Sequence, residues 1–127
     1  MKILLAEDDQ HIVIVLTMSL TRLCNHVVVH AADGQAALDQ ALSEKFDLIL
    51  LDSMMPKKDG IRVCQELKTQ HSLETPIIFL SAKSQESDIR EGLQMGAIGY
   101  IQKPFDPKTI CQQIDEIMDH AALEKAA

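Results

Sequence analysis

Short apolar runs alternate along the chain with stretches in which apolar residues recur every three or four positions. The five runs are Lys2–Ala6, Val27–Val29, Leu48–Leu51, Pro76–Leu80 and Ile98–Ile101. Runs of this length between polar or turn residues are typical of buried strands. The stretches between them have the spacing of amphipathic helices. Five strands that alternate with five helices predict an α/β domain with a parallel sheet covered by helices on both faces.

The apolar run from Leu48 to Leu51 ends abruptly on a carboxylate, Asp52. A strand that is apolar on both faces belongs in the middle of a parallel sheet. Asp52 is therefore expected at the carboxyl edge, where open α/β sheets bind their ligands. The short run at Val27–Val29 is flanked by His26 and His30, which predicts an edge strand.

The helices are predicted from their caps and their apolar spacing. The first begins at an Asp9 cap and continues through Ile12, Val13, Leu16, Leu20 and Leu23. Gly96 is expected to end the fourth helix, which covers roughly Gln85 to Met95. The last begins near Pro107, with an apolar stripe of Ile110, Ile114, Ile117 and Met118.

Length and composition predict one soluble domain. The chain has 127 residues, of which 46% are hydrophobic and 24% charged. We assign 1–122 to the domain and 123–127 to a tail. A net charge of -7 disfavours direct binding to nucleic acid, because no basic patch is present to neutralise phosphates. No apolar run approaches the ~18 residues of a membrane span, and no signal peptide is recognisable, so a cytoplasmic location without membrane contact is predicted.

The three cysteines are Cys24, Cys64 and Cys111. Their odd number, their wide spacing and the absence of a CxxC motif favour reduced, mostly buried thiols over disulfides or a zinc site.

Polar residues follow four of the five predicted strands at the same edge. They are Asp8 and Asp9 after the first strand, Asp52 after the third, Ser81 after the fourth and Lys103 after the fifth. Each has a local explanation, since Asp9 can cap a helix, Ser81 can begin a loop and Lys103 can be a surface cation. Their shared position at the carboxyl edge instead predicts one site.

The electrostatics of such a site require a cation. Three carboxylates within about 4–5 Å of each other repel by several kcal/mol at an effective dielectric near 20. Oxygen ligands with a retained water shell suit Mg²⁺, and Lys103 would add a compact positive charge. Asp52 in these surroundings is a good phosphoryl acceptor, with the incoming oxygens shared by metal, ammonium and the Ser81 hydroxyl. No glycine-rich phosphate loop is present, so bound ATP is not the expected donor.

The motifs LLAEDD, LILLDSMMPKKDG, IIFLSA and GAIGYIQKPF together resemble those of response-regulator receiver domains in two-component signalling. The resemblance covers about Lys2 to Met118. It implies a flavodoxin-like (βα)5 fold with strand order 2-1-3-4-5. It also implies a phosphoacceptor rather than an enzyme, with weak self-phosphorylation and autodephosphorylation.

The resemblance implies a metal site of four members. Asp52 matches the phosphoaccepting aspartate. Asp8 and Asp9 match the acidic pair, with Asp9 binding Mg²⁺ directly and Asp8 mainly through water. Met54 matches the position that offers a backbone carbonyl to the metal. Glu7 is interpreted as a neighbour of the pair rather than a ligand.

The resemblance also implies a switch. Ser81 matches the switch hydroxyl, Lys103 the family lysine and Tyr100 the switch aromatic, which would rotate inward after phosphorylation. The Lys103–Pro104 peptide bond matches one that is cis in this family. The surface of helix four, strand five and helix five would then change and signal by protein contact to a downstream target.

The first helix is too apolar for all of its residues to face the core. We predict that part of it docks the helical bundle of a histidine kinase or phosphotransfer protein, although extra packing under a loop is an open alternative. The predicted surface comprises Gln10, Val13, Leu16, Ile14 or Met18, Lys83, Pro104 and Phe105. No DNA-binding domain is recognisable, so a stand-alone receiver and one excised from a larger regulator are both open.

Two other functions compete. A phosphatase of the haloacid dehalogenase type also uses a nucleophilic aspartate, but it expects a second aspartate where this chain has Met54. A pseudo-receiver would bind partners without phosphorylation, against which the acidic residues, Ser81 and Lys103 argue.

Overall fold

The computed structural model of the protein describes residues 1–82 and 86–126. The strands are β1 (Lys2–Ala6), β2 (Val27–Ala31), β3 (Leu48–Asp52), β4 (Ile77–Ala82) and β5 (Gly99–Lys103). The helices are α1 (Gln10–Met18), α2 (Gly34–Ser43), α3 (Gly60–Thr69), α4 (Glu86–Gln94) and α5 (Ile110–Ala126).

The strands form one parallel sheet in the order β2-β1-β3-β4-β5. The predicted fold class and strand order are confirmed, as is the edge position of β2. Every residue of the central strand β3 is buried, Asp52 included. This order places the carboxyl ends of β1, β3 and β4 side by side, which is what brings the polar residues after them together.

The core consists of two layers, one on each face of the sheet, because successive residues of a strand point to opposite faces. Ile3 and Leu5 of β1 pack with the α1 and α5 side chains, whereas Leu4 and Ala6 pack with α2 and α3. Burial on both faces explains why the strands are continuous apolar runs rather than alternating ones.

The first helix differs from its predicted course. It is α-helical only to Met18 and continues as a π-helical turn at Ser19–Leu23. Leu20 is buried as predicted, but Leu23 is 67% exposed. In a π-helical turn each N–H bonds to the carbonyl five residues earlier instead of four. The side chains after Met18 therefore no longer follow the α-helical spacing.

The end of β5, the end of α5 and the peptide bond after Lys103 can each be compared with the prediction. Strand β5 extends to Lys103, two residues beyond its predicted end. Helix α5 continues to Ala126, so the described part of segment 123–127 is helical. The Lys103–Pro104 peptide bond is cis, as expected.

The cysteine prediction was wrong for two of the three residues. Cys24 and Cys111 are joined as a disulfide, while Cys64 is free and buried. Because the bonded residues are separated by 87 positions in the sequence, their spacing gave no sign of their proximity. Separately, none of the helices within the described residues combines the length and apolar character needed to cross a membrane.

Candidate functional site

Asp52 lies at the centre of the carboxyl edge of the sheet. Its side chain is buried, and Oδ1 accepts a hydrogen bond of 3.2 Å from the backbone N–H of Met54. The loop after it is held back against the strand, since Gly60 N–H donates to the Ser53 carbonyl at 3.0 Å. A Cβ at Gly60 would collide with the Asp52 carbonyl oxygen. Glycine is therefore needed where α3 starts next to Asp52.

Lys103 reaches this site from the end of β5. Its ammonium Nζ is 2.9 Å from Glu7 Oε2 and 3.4 Å from Asp52 Oδ1. Glu7 follows β1 directly and its side chain is 1% exposed. Glu7 Oε2 accepts no hydrogen bond of good geometry, so the charge of Lys103 is what compensates it. The lysine thus bridges carboxylates supplied by two different strands.

Three carboxylates converge here. One oxygen each from Glu7, Asp8 and Asp52 lies within 4.8 Å of the other two, with Glu7 and Asp52 buried and Asp8 exposed. Three formal negative charges against the single ammonium of Lys103 leave a charge of minus two. That is the charge a divalent cation neutralises, and carboxylate oxygens are the ligands that Mg²⁺ prefers.

The acidic residues are shifted by one position from the prediction. Asp9 is the N-cap of α1, and its Oδ1 accepts from the N–H groups of His11 at 2.9 Å and Ile12 at 3.3 Å. A carboxylate that satisfies helix N–H groups points along the helix and not into the acidic cluster. The described carboxylates that meet Asp52 come from Glu7 and Asp8. The expectation that Glu7 is only a neighbour is therefore corrected.

The pKa values follow this arrangement. Burial, and after it the hydrogen bond and negative charge of Glu7, raise the pKa of Asp52 from 3.8 to about 7. Lys103 and the Met54 N–H oppose that rise in the pKa. Desolvation works against the charged form of Lys103, but the two carboxylates outweigh it and raise its pKa. Without a metal, burial and Glu7 therefore favour the protonated form of Asp52 more than water favours that of a free aspartate.

The remaining predicted switch residues occupy different depths. Ser81 is buried on β4, in register with Gln102 and one residue before the Ala82–Lys103 pair. Tyr100 lies on β5 beside Phe79 of β4, and its side chain is 45% exposed. Met54, 62% exposed, lies two residues after Asp52. Lys83 lies outside the described residues.

A groove of about 460 Å³ runs beside the site, between α1 and the loop before α5. Its lining is mostly apolar and comprises His11, Ile12, Val15, Lys103, Pro104, Phe105 and Pro107. Ile14 and Met18 of α1 are 57% and 49% exposed. Pro104 and Phe105, two residues of the predicted docking surface, line this groove.

One predicted member of the docking surface is wrong. Leu16 has no exposed surface and packs in the core with Leu5, Leu20 and Ile114. Gln10 is exposed and Val13 is half-buried. Helical spacing identifies which α1 residues share a face, but the face that meets the sheet is set by the packing of α1 against α5.

The sequence identified two contributors only incompletely. Glu7 was interpreted as a neighbour of the acidic pair, because three consecutive acids follow β1 and only the backbone course decides which of them turn inward. Gly60 was identified from the sequence only as the last residue of the motif LILLDSMMPKKDG, although its close approach to Asp52 requires a glycine. Asp59, the residue before it, caps α3 by accepting a hydrogen bond from the N–H of Arg62 at 2.8 Å.

Comparisons with known proteins agree with this geometry. The family model described as response regulator receiver domain matches residues 3–115. The alkaline phosphatase synthesis transcriptional regulatory protein PhoP of Bacillus subtilis is 44% identical over 117 residues, which are 92% of this chain and 48% of PhoP. Response regulator ArlR of Staphylococcus aureus is 42% identical over 92% of this chain and 52% of its own length. The chain thus spans about half the length of the curated relatives it matches.

A solved structure shows the same architecture. The chemotaxis response regulator CheY4 of Vibrio cholerae superimposes with a TM-score of 0.83 at 30% identity, over 91% of this chain and 97% of that one.

Proposed function

The chain belongs to the response-regulator receiver family, and from that premise we propose that Asp52 accepts a phosphoryl group from a phosphohistidine. The observation that carries the proposal is the position of Asp52, buried at the central strand end between a carboxylate pair and the Lys103 ammonium. A structural role alone would not place a carboxylate there, because burial raises its pKa and weakens its charged form.

The residues of the acidic cluster fit a Mg²⁺ ion. Asp8 and Asp52 would hold it, with the Met54 backbone carbonyl as a further ligand and Glu7 positioned to orient a bound water. The formal charge of minus two that Lys103 leaves unneutralised supports this assignment. When bound, Mg²⁺ supplies charge neutralisation for the carboxylates and the phosphoryl oxygens.

The transfer itself is carried by Asp52 and Lys103. A carboxylate oxygen of Asp52 forms a bond to phosphorus while the phosphorus–nitrogen bond of phosphohistidine breaks, and the imidazole keeps that electron pair. Lys103 Nζ, 3.4 Å from Asp52 Oδ1, is placed to bind a phosphoryl oxygen as its charge develops. The Ser81 hydroxyl is assigned a second phosphoryl oxygen.

Phosphorylation would act as a local charge change. It adds about 1.5–2 negative charges at Asp52 and draws Ser81 and Lys103 toward the phosphoryl group. Tyr100, exposed in this structure, would then turn inward behind Ser81 and alter the surface of α4, β5 and α5. Moving a two-state equilibrium from 1:99 to 99:1 takes about 5.5 kcal/mol, which several charge-assisted hydrogen bonds of about 1.5–3 kcal/mol each can supply.

The kinase or phosphotransfer partner would dock on the groove between α1 and the loop before α5. This groove contains Lys103 itself, and the adjoining depression is lined in part by exposed Met18. An apolar surface that reaches the reacting residues fits the helical bundle that must present phosphohistidine to Asp52. We assign this surface to Ile12, Ile14, Val15, Met18, Pro104 and Phe105, with Gln10 and Val13 at its margin.

The wider role follows from these parts. The domain (1–122) would relay the signal in the cytoplasm to a downstream protein, without direct contact of its own to nucleic acid or membrane. Phosphoryl transfer to Asp52, from phosphohistidine or from a small donor, and slow hydrolysis of the phosphoaspartate would be its only chemistry. The haloacid dehalogenase alternative is not favoured, because Met54 replaces the acid/base aspartate that it requires.

Labelling with acetyl phosphate tests this function. The wild type should become phosphorylated in the presence of Mg²⁺ and remain unlabelled in EDTA, whereas Asp52→Asn should not label in either. Asp47→Asn is the matched control, because it removes a carboxylate outside the acidic cluster, and it should label like the wild type. Stoichiometric labelling of Asp52→Asn would exclude Asp52 as the phosphoacceptor.

A further inference from the structure

The Cys24–Cys111 pair connects the end of α1, which borders the groove, to the start of α5, which follows the loop on the other side of the groove. Cys24 follows the π-helical turn at the end of α1, and Cys111 is the second residue of α5. Their Cα atoms are 6.5 Å apart, within the ~4.4–6.8 Å at which a disulfide forms without backbone movement. Both residues are half-buried, so small reagents in solution can reach them.

The reduced form of this pair also has a hydrogen-bond acceptor in place. The Ser19 carbonyl oxygen is 3.2 Å from Cys24 Sγ and 3.9 Å from Cys111 Sγ. Without the sulfur–sulfur bond, the Cys24 S–H can donate to this oxygen. The same backbone therefore accommodates thiols and disulfide, which is what a reversible site requires.

The bond lies at one end of the apolar surface that the partner is proposed to use. The groove beside Lys103 continues past Val15 and Pro107 into a second depression of about 360 Å³, which is lined in part by Ser19 and Leu23. Cys24 is adjacent to Leu23. Closing the bond ties this end of the surface to α5, whereas opening it leaves the two helices joined by packing alone.

We propose that Cys24 and Cys111 form a reversible thiol–disulfide site whose oxidation clamps the end of α1 to α5 and restricts the motion of this part of the groove. The effect on a partner rests on the proposed function, but the bond and the clamp concern only this chain. In a reducing compartment such bonds are typically transient and redox-sensing rather than permanent.

The oxidant is a low-molecular-weight disulfide. One cysteine thiolate attacks it and forms a mixed disulfide, releasing one small thiol. The second cysteine thiolate then attacks the mixed disulfide and releases the other small thiol. The two protein thiols are oxidised, the small disulfide is reduced to two thiols, and the two protons go to solvent or to the leaving thiolates.

Thiol counting tests the bond. The folded protein is equilibrated with oxidised and reduced glutathione at a series of ratios and then alkylated before or after denaturation. Cys64 serves as an internal control, because it is buried and its pKa is raised by burial to about 11. We expect two reactive thiols in the folded reduced protein and none in the oxidised one, with only Cys64 appearing on denaturation of the latter. Free thiols or stable glutathione adducts under excess oxidised glutathione would overturn the proposal.

Hydrogen exchange tests the clamp. Amides of the π-helical turn and the first turns of α5 should exchange several-fold more slowly in the oxidised protein, and Cys24→Ser and Cys111→Ser should abolish the difference. Equal exchange in both redox states of the wild type would refute the clamp. Acetyl phosphate labelling of both states separates the two proposals, because loss of labelling in both would contradict the phosphoacceptor function and leave the redox result standing.

Discussion

Lys103 Nζ lies 2.9 Å from Glu7 Oε2, so the lysine that ends the fifth strand is paired with the carboxylate that follows the first. This ion pair crosses the site above the central strand. Because Glu7 is buried, the pair is little screened by solvent and fixes where the ammonium lies. In the proposed transfer, the lysine would thereby be in position before the phosphoryl group arrives.

Replacing Lys103 by glutamine should slow labelling of Asp52 by acetyl phosphate about tenfold or more. The change removes the positive charge that lowers the pKa of Asp52 and that would bind a phosphoryl oxygen. The initial rate of labelling at saturating Mg²⁺ measures the effect. Lys108→Gln, an exposed lysine near the start of α5, removes the same charge and should leave the rate unchanged. Equal rates for Lys103→Gln and the wild type would exclude a role for the ammonium in transfer.

Substitutions of Asp8 and of Asp9 should have different effects on Mg²⁺ affinity. Asp8→Asn should weaken Mg²⁺ binding about tenfold or more, because it removes one carboxylate of the converging cluster. Asp9→Ala should destabilise the fold by about 1 kcal/mol through loss of the α1 cap, while Mg²⁺ affinity changes less than threefold. The chain has no tryptophan, so calorimetric titration and chemical denaturation are the suitable measurements. A larger loss of affinity in Asp9→Ala would restore the original assignment.

The stability of the metal-free protein should fall as pH rises from about 4 to about 7. The pKa of Asp52 is raised from 3.8 to about 7 in the folded state, so in this window the folded chain binds a proton that the unfolded chain does not. This contribution to the free energy of unfolding is fully present below the unfolded-state pKa of 3.8 and is lost above the folded-state pKa of about 7. Subtracting the Tm of Asp52→Asn from that of the wild type in EDTA, at each pH, isolates it. A difference that stays flat between those limits would contradict the raised pKa.

Addition of Mg²⁺ should reverse this trend, because the ion binds the charged carboxylate and competes with its proton.

A charge introduced on the exposed face of α1 should weaken phosphoryl transfer from a histidine kinase but not from acetyl phosphate. Ile14→Glu should weaken transfer from a histidine kinase that phosphorylates the wild type, by about tenfold, while labelling by acetyl phosphate is kept. Ile14 is 57% exposed, and Leu123 of α5, at 70%, provides the matched control Leu123→Glu. Buried Leu16 should behave differently, since Leu16→Ala should lose about 2–5 kcal/mol of stability. Equal loss of both donors in Ile14→Glu would indicate a structural role for Ile14.

The layout of the fold was predictable because burial on both faces leaves a clear pattern. Continuous apolar strands, helical spacing between them and polar residues at their carboxyl ends define the order of elements and the edge at which Asp52, Ser81 and Lys103 meet. The roles of the individual acidic residues before α1 were not predictable in the same way. Glu7, Asp8 and Asp9 are equivalent as sequence, and only the turn from strand to helix decides that Asp9 caps while the first two face Asp52.

Two other features depend on long-range packing that local pattern does not encode. Leu16 and Ile14 are both apolar residues of α1, yet one is buried and the other exposed because a particular face of the helix meets α5. Cys24 and Cys111 are far apart in sequence and become neighbours only when α5 returns beside the end of α1.

Both backbone polar groups of Glu7 are held by residues of β2, and this limits where the structure can move. Its N–H donates to the Ala31 carbonyl at 3.2 Å, and its carbonyl oxygen is 2.8 Å from His30 Nε2. The acidic side of the pocket is thus anchored, so we expect the response to a phosphoryl group to occur on the other side of the sheet, toward β4 and β5. Amide chemical shifts recorded before and after addition of beryllofluoride should accordingly move more along those two strands than at the β1–β2 edge.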